Sequence, residues 1–183
     1  MLSRLVYIVS LIIIHVFIFV LPAKSFTTTA DTIAQIDTSD YVKDNRDINL
    51  QIASFKGYTS EVERLIKLGA DVNYKTWDGV TALMYASQNG FNEIVASLLK
   101  AGSDPNFQPD NGINALHGAI LNNHLETSEI LIRNGANINQ KDFDSISPLM
   151  NAVATDNYDI TDMLLYYDAD ITLKDNEGND ALM

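Results

Sequence analysis

The side chains of this sequence that could bind a metal or transfer a proton are three histidines and many carboxylates. His15 lies in an apolar N-terminal stretch, whereas His117 and His124 lie in the second half of the chain. Metal sites need two or more ligands three or four residues apart on a helix, or facing one another across strands, and these two histidines are not paired in either way. The chain has no cysteine, which excludes disulfides, thiolate metal sites and a cysteine nucleophile. We therefore predict no bound metal and no cofactor.

Carboxylates also recur at short spacing in the second half of the chain: Asp142 with Asp144, Asp168 with Asp170, and Asp175 with Glu177 and Asp180. A calcium loop needs carboxylates at alternate positions, a glycine at the sixth position and a glutamate at the twelfth, and none of these runs satisfies that pattern. General acid–base catalysis would further require a concave and partly dry pocket. Turn formation by aspartate side chains explains the runs better. We predict no catalytic residue and no enzymatic activity.

The charge balance restricts the possible partners. The formal net charge is −12, and residues 26–183 alone carry 10 basic and 24 acidic residues, a net charge of −14. Nucleic acid binding needs clustered lysine and arginine, so this balance argues against nucleic acid and equally against an anionic membrane surface. A basic or neutral protein partner is compatible with it, although an acidic surface also serves solubility.

Residues 1–25 have the features of a secretory signal peptide. Arg4 supplies a positive start, residues 5–21 are almost entirely apolar, and small residues occupy the −3 and −1 positions of a cleavage site before Phe26. The alternative is an uncleaved membrane anchor, because a stretch of 17 residues, broken only by Ser10 and His15, is at the lower limit for spanning a bilayer. Both alternatives predict export, to the periplasm or outside the cell, or with residues 5–21 holding the chain at the membrane.

A strict 33-residue repeat organises the rest of the chain. The register contains recurring leucines, alanines, asparagines and glycine-containing tripeptides, and no insertion interrupts it. The leucines are Leu50, Leu83, Leu116, Leu149 and Leu182, the alanines are Ala53, Ala86, Ala119 and Ala152, and the asparagines are Asn73, Asn106 and Asn139, with Thr172 in fourth place. A fixed period of this length indicates a stacked-repeat protein, in which each unit buries its apolar side against its neighbours.

Within one unit the pattern predicts two short helices. In residues 76–108, Thr81 stands at an N-cap position before a helix at about residues 82–88, and Asn89-Gly90 ends that helix. A second helix is expected at residues 92–100, with amphipathic spacing of its aliphatic residues and Gly102 as its C-cap.

These residues resemble the ankyrin repeat. Residues 78–90 read D-G-V-T-A-L-M-Y-A-S-Q-N-G, which is similar to the family pattern D-G-x-T-P-L-H-x-A-A-x-x-G, and residues 98–106 read L-L-K-A-G-S-D-P-N, similar to L-L-x-x-G-A-D-x-N. The resemblance implies an all-α solenoid of stacked helix-turn-helix units with short β-hairpin loops along one edge. It also implies binding to another macromolecule, usually a protein, and a structural role for His117 and His124, at positions where the family customarily carries such residues.

The predicted organisation is a signal peptide or anchor (1–25), a linker or N-terminal cap (26–42) and an ankyrin repeat domain (43–183). Its units cover residues 43–75, 76–108, 109–141 and 142–174, with a partial fifth at 175–183. In the linker, Ile33, Ile36 and Val42 are candidates to pack on the first unit. The partial unit suggests three alternatives: a fragment of a longer array, an end covered by a partner or a second copy, or a loosely folded terminus.

Several residues depart from the family pattern. In unit one, Arg46 replaces the turn glycine, Ile48 occupies the N-cap position, and Glu61 stands where the second helix expects an apolar residue. Unit three places Thr127 and Ser128 in the same apolar stripe, which Ile130 could compensate, and unit four has Asp168 where the other units have a capping glycine.

The resemblance further implies that a partner would contact the hairpin tips and the exposed ends of the first helices. These positions hold aromatic and aliphatic residues with acidic residues between them, and exposed aromatic residues among polar groups are typical of interface hot spots. The alternative is that the aliphatic column Val80, Ile113 and Ile146 folds down to cover the hairpins. The candidate partner-binding residues are Trp77, Asp78, Val80, Gln88, Asn89, Asp110, Asn111, Ile113, Leu121, Asn122, Phe143, Asp144 and Ile146, with Phe55 and Lys56 as the equivalent helix end in unit one.

The resulting prediction is an exported, non-catalytic protein that binds another protein. The alternative is an N-terminal targeting or regulatory part of a longer ankyrin-containing protein whose activity lies beyond residue 183.

Overall fold

Eight α-helices in consecutive pairs make up the described part of the chain, residues 38–182, for which the computed structural model gives side chains from residue 45 onward. The helices are α1 (Thr38–Lys56), α2 (Thr59–Lys67), α3 (Ala82–Gln88), α4 (Asn92–Lys100), α5 (Ala115–Leu121), α6 (Leu125–Arg133), α7 (Pro148–Ala154) and α8 (Tyr158–Tyr166). No strand occurs within that part, so the predicted all-α repeat solenoid is confirmed. The two helices expected at residues 82–88 and 92–100 have the predicted bounds.

The first helices of units two to four begin at N-caps that the repeat register identifies. The side chains of Thr81, Asn114 and Ser147 each accept a hydrogen bond from the backbone N–H three residues later, at 3.4, 3.0 and 3.3 Å. These bonds satisfy amides that have no partner within the helix, and Pro148 follows its cap at the position where a missing N–H costs nothing.

The core lies between the two layers of helices. Consecutive first helices α3, α5 and α7 pack together, as do consecutive second helices α2, α4, α6 and α8. Leu50, Leu83, Leu116 and Leu149, one per unit, are all buried. Complete burial of one such leucine contributes about 1.5–3 kcal/mol, which explains why the 33-residue register is kept so strictly. Residues 42–183 form the unit that contains this core, and the preceding unit, 1–41, is described only at its helical residues 38–41.

Asparagine side chains join each unit to the next. Asn106 Nδ2 donates to the carbonyl oxygen of Gly135 at 2.9 Å, and Asn106 Oδ1 accepts from the N–H of Asn137 at 2.6 Å. Asn73, in unit one, makes the same two bonds to unit two, at 3.0 Å to Gly102 and 2.9 Å to Asp104. This ladder satisfies backbone groups of the turn after each second helix, because that turn has no secondary-structure partner of its own.

Unit one differs from the others because α1 is a single long helix. One register position has a positive φ in every unit after the first, and this conformation prevents a helix from continuing through it. The residues there are Gly79, Gly112, Ser145 and Gly178. Arg46 stands at the same position in unit one, and α1 continues through it. Ile48 is therefore inside the helix and is not an N-cap, which corrects the expectation for that residue. Arg46 instead donates to the carbonyl oxygen of Leu68, and Asp47 accepts from the N–H of Asp71 at 2.7 Å.

The loops between units turn back through backbone hydrogen bonds without forming strands in the part of the chain described. Thr76 N donates to Val80 O at 3.0 Å, and Asp142 N donates to Ile146 O at 3.0 Å. We call residues 76–80, 109–113, 142–146 and 175–179 the turn loops. The expected β-hairpins are therefore reduced here to tight turns.

The polar residues in the apolar stripe of unit three are accommodated by hydrogen bonds. Thr127 and Ser128 are buried, and their hydroxyls donate to Asn92 Oδ1 at 2.5 Å and to the carbonyl oxygen of His124 at 2.9 Å. Ile130 packs partly buried against the core, as expected. In unit one, Glu61 forms an ion pair with Arg64 at 2.7 Å on the outside of α2.

The N-terminal predictions fall mostly outside the described residues. The signal peptide or anchor of residues 1–25 lies there, as do Ile33, Ile36 and the side chain of Val42. Helix α1 begins at Thr38, within the segment predicted as linker or cap. Across residues 38–182, every helix is too short or too polar to cross a bilayer.

Candidate functional site

Two large aromatic side chains stand at the tips of the turn loops. Trp77 is 85% exposed and Phe143 is 69% exposed, and they occupy the same register position two units apart. Asp110 lies at that position in the unit between them and is exposed too. Such exposure of aromatic carbon to water is unfavourable in isolation, so these tips are the first candidates for contact with a partner.

The aliphatic column beside the tips is largely turned inward. Val80 and Ile146 are half-buried and pack against the core, whereas Ile113 stays at the exposed boundary. Of the two alternatives for this column, covering the loops therefore applies to Val80 and Ile146. Their carbonyl groups also contact other units, since Val80 O accepts from Gln51 Nε2 at 3.0 Å and Ile146 O lies 3.4 Å from His117 Nε2.

The acidic and amide side chains of the turn loops mainly shape the loops themselves. Asp78 accepts a hydrogen bond from the hydroxyl of Thr76, and Asn111 Oδ1 accepts from the N–H of Ile113 at 3.0 Å. Asp142 Oδ1 accepts from Asp144 N at 3.0 Å and from Ile146 N at 2.9 Å. The carboxylate of Asp144 is exposed. Turn formation thus accounts for the carboxylate runs in these loops, and within the described residues no group of side chains could hold a metal ion.

A second exposed surface lies along the first helices of the units. We call Ile52, Phe55, Tyr85, Gln88 and Leu121, on α1, α3 and α5, the first-helix face. The rings of Phe55 and Tyr85 meet edge to face with centroids 5.6 Å apart, which joins unit one to unit two on this face. The pKa of Tyr85 is raised, first by burial and then by the negative charge of Asp78. Asp78, at the loop tip of unit two, is therefore near enough to Tyr85 for its charge to act on the hydroxyl.

Sequence reasoning missed Ile52 and Tyr85. They share one register position, which continues as Gly118 and Asn151, on the side of the first helices away from the leucine and alanine columns. A helical projection of α1 and α3 around Leu50 and Leu83 would have shown them as the outward partners of Phe55 and Gln88.

The polar residues predicted at the helix ends divide into caps and free surface. Asn89 Nδ2 donates to the carbonyl of Tyr85 at 2.8 Å, and Asn122 Nδ2 donates to that of Gly118 at 2.9 Å. These two amides therefore close the last turns of α3 and α5. The side chains of Gln88 and Lys56 are exposed at the equivalent helix ends, and the ammonium of Lys56 lies 5.9 Å from the ring centre of Tyr58.

Gly118 leaves a gap in the middle of the first-helix face. A Cβ built there would have only ordinary contacts, the nearest 3.7 Å away at Gln88, so packing does not require a glycine. A glycine inside a helix costs about 1 kcal/mol relative to alanine. Gly118 is half-buried, and without a side chain there the backbone of α5 is partly accessible to a partner.

An open cleft lies at the C-terminal ends of α5 and α7. It has a volume of about 440 Å³, and its lining includes Leu121, Thr155, Asp156, Tyr158 and Asp159. The carboxylates of Asp156 and Asp159 make the cleft acidic at the rim, while Leu121 and the Tyr158 ring provide apolar walls. A basic or aromatic side chain of a partner fits such a lining better than an acidic one.

His117 and His124 hold units together and do not meet in a site. His117 is fully buried, with Nδ1 2.8 Å from Asn114 Oδ1, and burial lowers its pKa, an effect opposed in part by the Ile146 carbonyl. His124 Nε2 lies 3.1 Å from the carbonyl oxygen of Gln88, one unit earlier.

The repeat geometry agrees with the comparison against protein families. A family model described as ankyrin repeats, three copies, matches residues 28–109 and 83–175, which together cover most of the chain. The chain belongs to the ankyrin repeat family. Ankyrin repeats generally mediate protein–protein interaction, and ankyrin repeat proteins are typically non-catalytic scaffolds. A search of curated proteins returned no match.

Proposed function

We propose that this ankyrin repeat protein is exported and that it binds another protein, without catalysis, through its loop tips and its first-helix face. The observation that carries the proposal is the set of exposed apolar side chains Ile52, Phe55 and Leu121 on the first helices, with the half-buried Tyr85 packed on Phe55, together with the exposed ring of Phe143 at a loop tip. A folded chain gains nothing from exposing this much apolar carbon, whereas a partner that covers it gains the free energy of burial.

The stack supports such binding because its surface is ordered before the partner arrives. The asparagine ladder, the His117 bond to Ile146 O and the His124 bond to Gln88 O each connect one unit to its neighbour. Ordering of loops and side chains is a principal cost of association, so a surface fixed by such bonds binds with a smaller entropic penalty.

The chemistry of the partner follows from the surface charge. Acids at Asp78, Asp110 and Asp144 alternate with the apolar residues of the loop tips, and the cleft beside Leu121 is acidic at its rim. A partner with basic or neutral polar groups around an apolar or aromatic centre is complementary to this pattern. Export rests on the sequence of residues 1–25, and detection of the chain in the periplasmic or culture fraction, with or without those residues, tests it.

Binding is tested by affinity capture from extracts of the source organism, followed by identification of the retained protein. Phe143→Ser and Leu121→Ser should lose the captured protein while keeping the helical circular dichroism of the wild type. Leu68→Ser, on the opposite layer of helices, is the control and should retain it. If the same protein is retained by all four forms, or by none of them, the loop tips and first-helix face are not its binding site.

The alternative function, a targeting or regulatory part of a longer ankyrin protein, is supported by the turn loop at residues 175–179. Asp175 N donates to Asn179 O at 2.9 Å, which repeats the bond that opens unit four. The side chain of Asp180 accepts from Leu182 N at 3.0 Å, as an N-cap would. The reading frame downstream of residue 183 distinguishes this alternative from the first proposal.

A further inference from the structure

The last unit exposes apolar residues at positions that the earlier units bury. Ser87 and Ile120 are fully buried at one register position, whereas Val153, the next member of that series, is 40% exposed. Leu99 and Ile132 pack partly buried against the core, whereas the equivalent Leu165 is 44% exposed. We call the surface formed by Val153, Asp162, Leu165 and Tyr166 the end face.

The junction between units three and four shows what such a face contacts when it is covered. Glu129 Oε1, the counterpart of Asp162, accepts from the hydroxyl of Tyr167 in the next unit at 3.0 Å. Arg133, the counterpart of Tyr166, donates to the same hydroxyl at 2.9 Å and pairs with Glu129 at 2.8 Å. A covered face therefore receives a helix that brings apolar side chains together with a hydrogen-bond donor for the carboxylate.

The end face has the carboxylate but not the cation. Tyr166 replaces the arginine four residues after the acid, so Asp162 has no basic neighbour at that spacing. The helices α2, α4 and α6 each have a basic residue in the last turn, and α8 has none. The last turn of a helix attracts positive charge, so this position favours a cation supplied from outside the chain.

The formal charge of unit four as a whole also favours a basic partner. Seven aspartates and one lysine give residues 142–174 a formal charge of −6, whereas six basic and five acidic residues give residues 43–75 a charge of +1. The units between them carry three acids each, against one and two basic residues, for charges of −2 and −1. Acidic charge is therefore concentrated in the unit that has the uncovered apolar face.

The asparagine ladder that joins successive units does not continue in unit four. Asn73, Asn106 and Asn139 each reach into the following unit, but Thr172 takes their place and donates its hydroxyl to Asp170 Oδ1 of its own turn at 2.6 Å. Unit four thus lacks the amide that holds a following repeat, while it keeps the apolar surface that a helix could cover.

We propose that the end face is a second docking surface, which binds a basic amphipathic helix of another protein. The apolar stripe of that helix packs on Val153 and Leu165, and a lysine or arginine beside the stripe binds Asp162. This surface lies on α7 and α8 of unit four, and none of its residues belongs to the loop tips or to the first-helix face.

The charge requirement is tested with three helical peptides of about 18 residues, or about five turns. They share one leucine stripe and carry lysine, glutamine or glutamate beside it, and their binding to the full chain is followed by fluorescence anisotropy. We expect the lysine peptide to bind roughly tenfold or more tightly than the glutamine peptide and the glutamate peptide to bind weakest, with the preference falling as salt is raised. Equal binding of the three peptides, or binding of none, overturns the proposal.

The location is tested with matched variants. Leu165→Ser and the exposed charge reversal Asp162→Lys should each weaken the lysine peptide roughly tenfold. Leu68→Ser is the control, since Leu68 is the C-cap of α2 in unit one and is 46% exposed, and it should bind as the wild type does. Wild-type affinity in both end-face variants overturns the proposal. Concentration-dependent dimerisation of the full chain that Leu165→Ser abolishes also overturns it, because the occupant would then be a second copy.

Discussion

The Nε2 atom of His117, in α5, lies 3.4 Å from the carbonyl oxygen of Ile146 in the following unit. The imidazole is fully buried, and burial holds its pKa below the ordinary value, despite the opposing effects of the Ile146 carbonyl and the charge of Asp142. A single side chain thus connects the helix of one unit to the turn loop of the next.

This burial predicts a loss of stability at mildly acidic pH. The unfolded chain takes up a proton at His117 below about pH 6.5, while the folded protein resists it, so the unfolded state binds more protons and gains stability as pH falls. The free energy of unfolding is therefore highest above about pH 6.5 as far as His117 is concerned. It decreases as pH falls below that value, by at most about 1.4 kcal/mol per pH unit for one proton. Melting temperatures between about pH 7.5 and 5.5 should fall less in His117→Gln than in the wild type. The pKa values of Asp170 and Asp175 are lowered, so these carboxylates titrate below that window. Parallel pH profiles of the two proteins would show that His117 does not titrate with unfolding.

The second prediction separates steric from conformational reasons for a glycine. Gly90 and Gly102 both have a positive φ, but a Cβ on Gly90 would lie 2.5 Å from Nδ1 of His124, whereas nothing lies within 4 Å of one on Gly102. Gly102→Ala should cost about 1–2 kcal/mol from backbone strain alone. Gly90→Ala should cost about 1–3 kcal/mol more, because the His124 ring must move away from the carbonyl of Gln88. Chemical denaturation measures both variants, and equal losses would mean that the ring does not lie over Gly90.

The third prediction concerns the asparagine ladder. Asn106→Ala removes one donor and one acceptor between units and should lower the free energy of unfolding by about 1–2 kcal/mol, since water can replace part of each exposed bond. Thr172→Ala, at the equivalent position, loses only a bond within its own turn and should cost less than about 1 kcal/mol. A loss in Thr172→Ala as large as that in Asn106→Ala would contradict the view that the ladder closes at unit four.

The fourth prediction concerns Asp168, which has φ +61 at the position where units one to three have Gly69, Gly102 and Gly135. Because glycine adopts this conformation without steric cost, Asp168→Gly should stabilise the protein by up to about 1 kcal/mol. The reverse change, Gly135→Asp, is the control and should lower the melting temperature. A lower melting temperature in Asp168→Gly would show that the cap geometry of unit four is wrong.

The sequence predicted most of the fold because the local and the repeated signals agree. Thr81, Asn114 and Ser147 gave the helix starts, and the glycine register gave the breaks, so the bounds of α3 and α4 followed directly. The extension of α1 through Arg46 was not predicted, although the missing glycine had been recognised. Without a residue that favours positive φ, nothing interrupts the backbone at Arg46, and α1 continues to Lys56.

The surface was less predictable than the core, because orientation within a loop depends on tertiary contacts. Val80 and Ile146 share a register position with Ile113, yet they pack inward while Ile113 stays at the boundary. Asn89 and Asn122 were expected at the binding surface, and their amides close helix ends, a bond that the Asn-Gly and Asn-Asn sequences do not reveal. The Phe55–Tyr85 contact crosses two units and could be found only by projecting both helices.

Photo-crosslinking from a loop tip tests the central claim, that this stack binds a protein through its tips and first-helix face, most directly. The full chain carrying p-benzoylphenylalanine in place of Phe143 is irradiated in extracts of the source organism, beside the same chain with the probe in place of Leu68. We predict a protein adduct from position 143 and none from position 68. An adduct from position 68 alone would contradict the account.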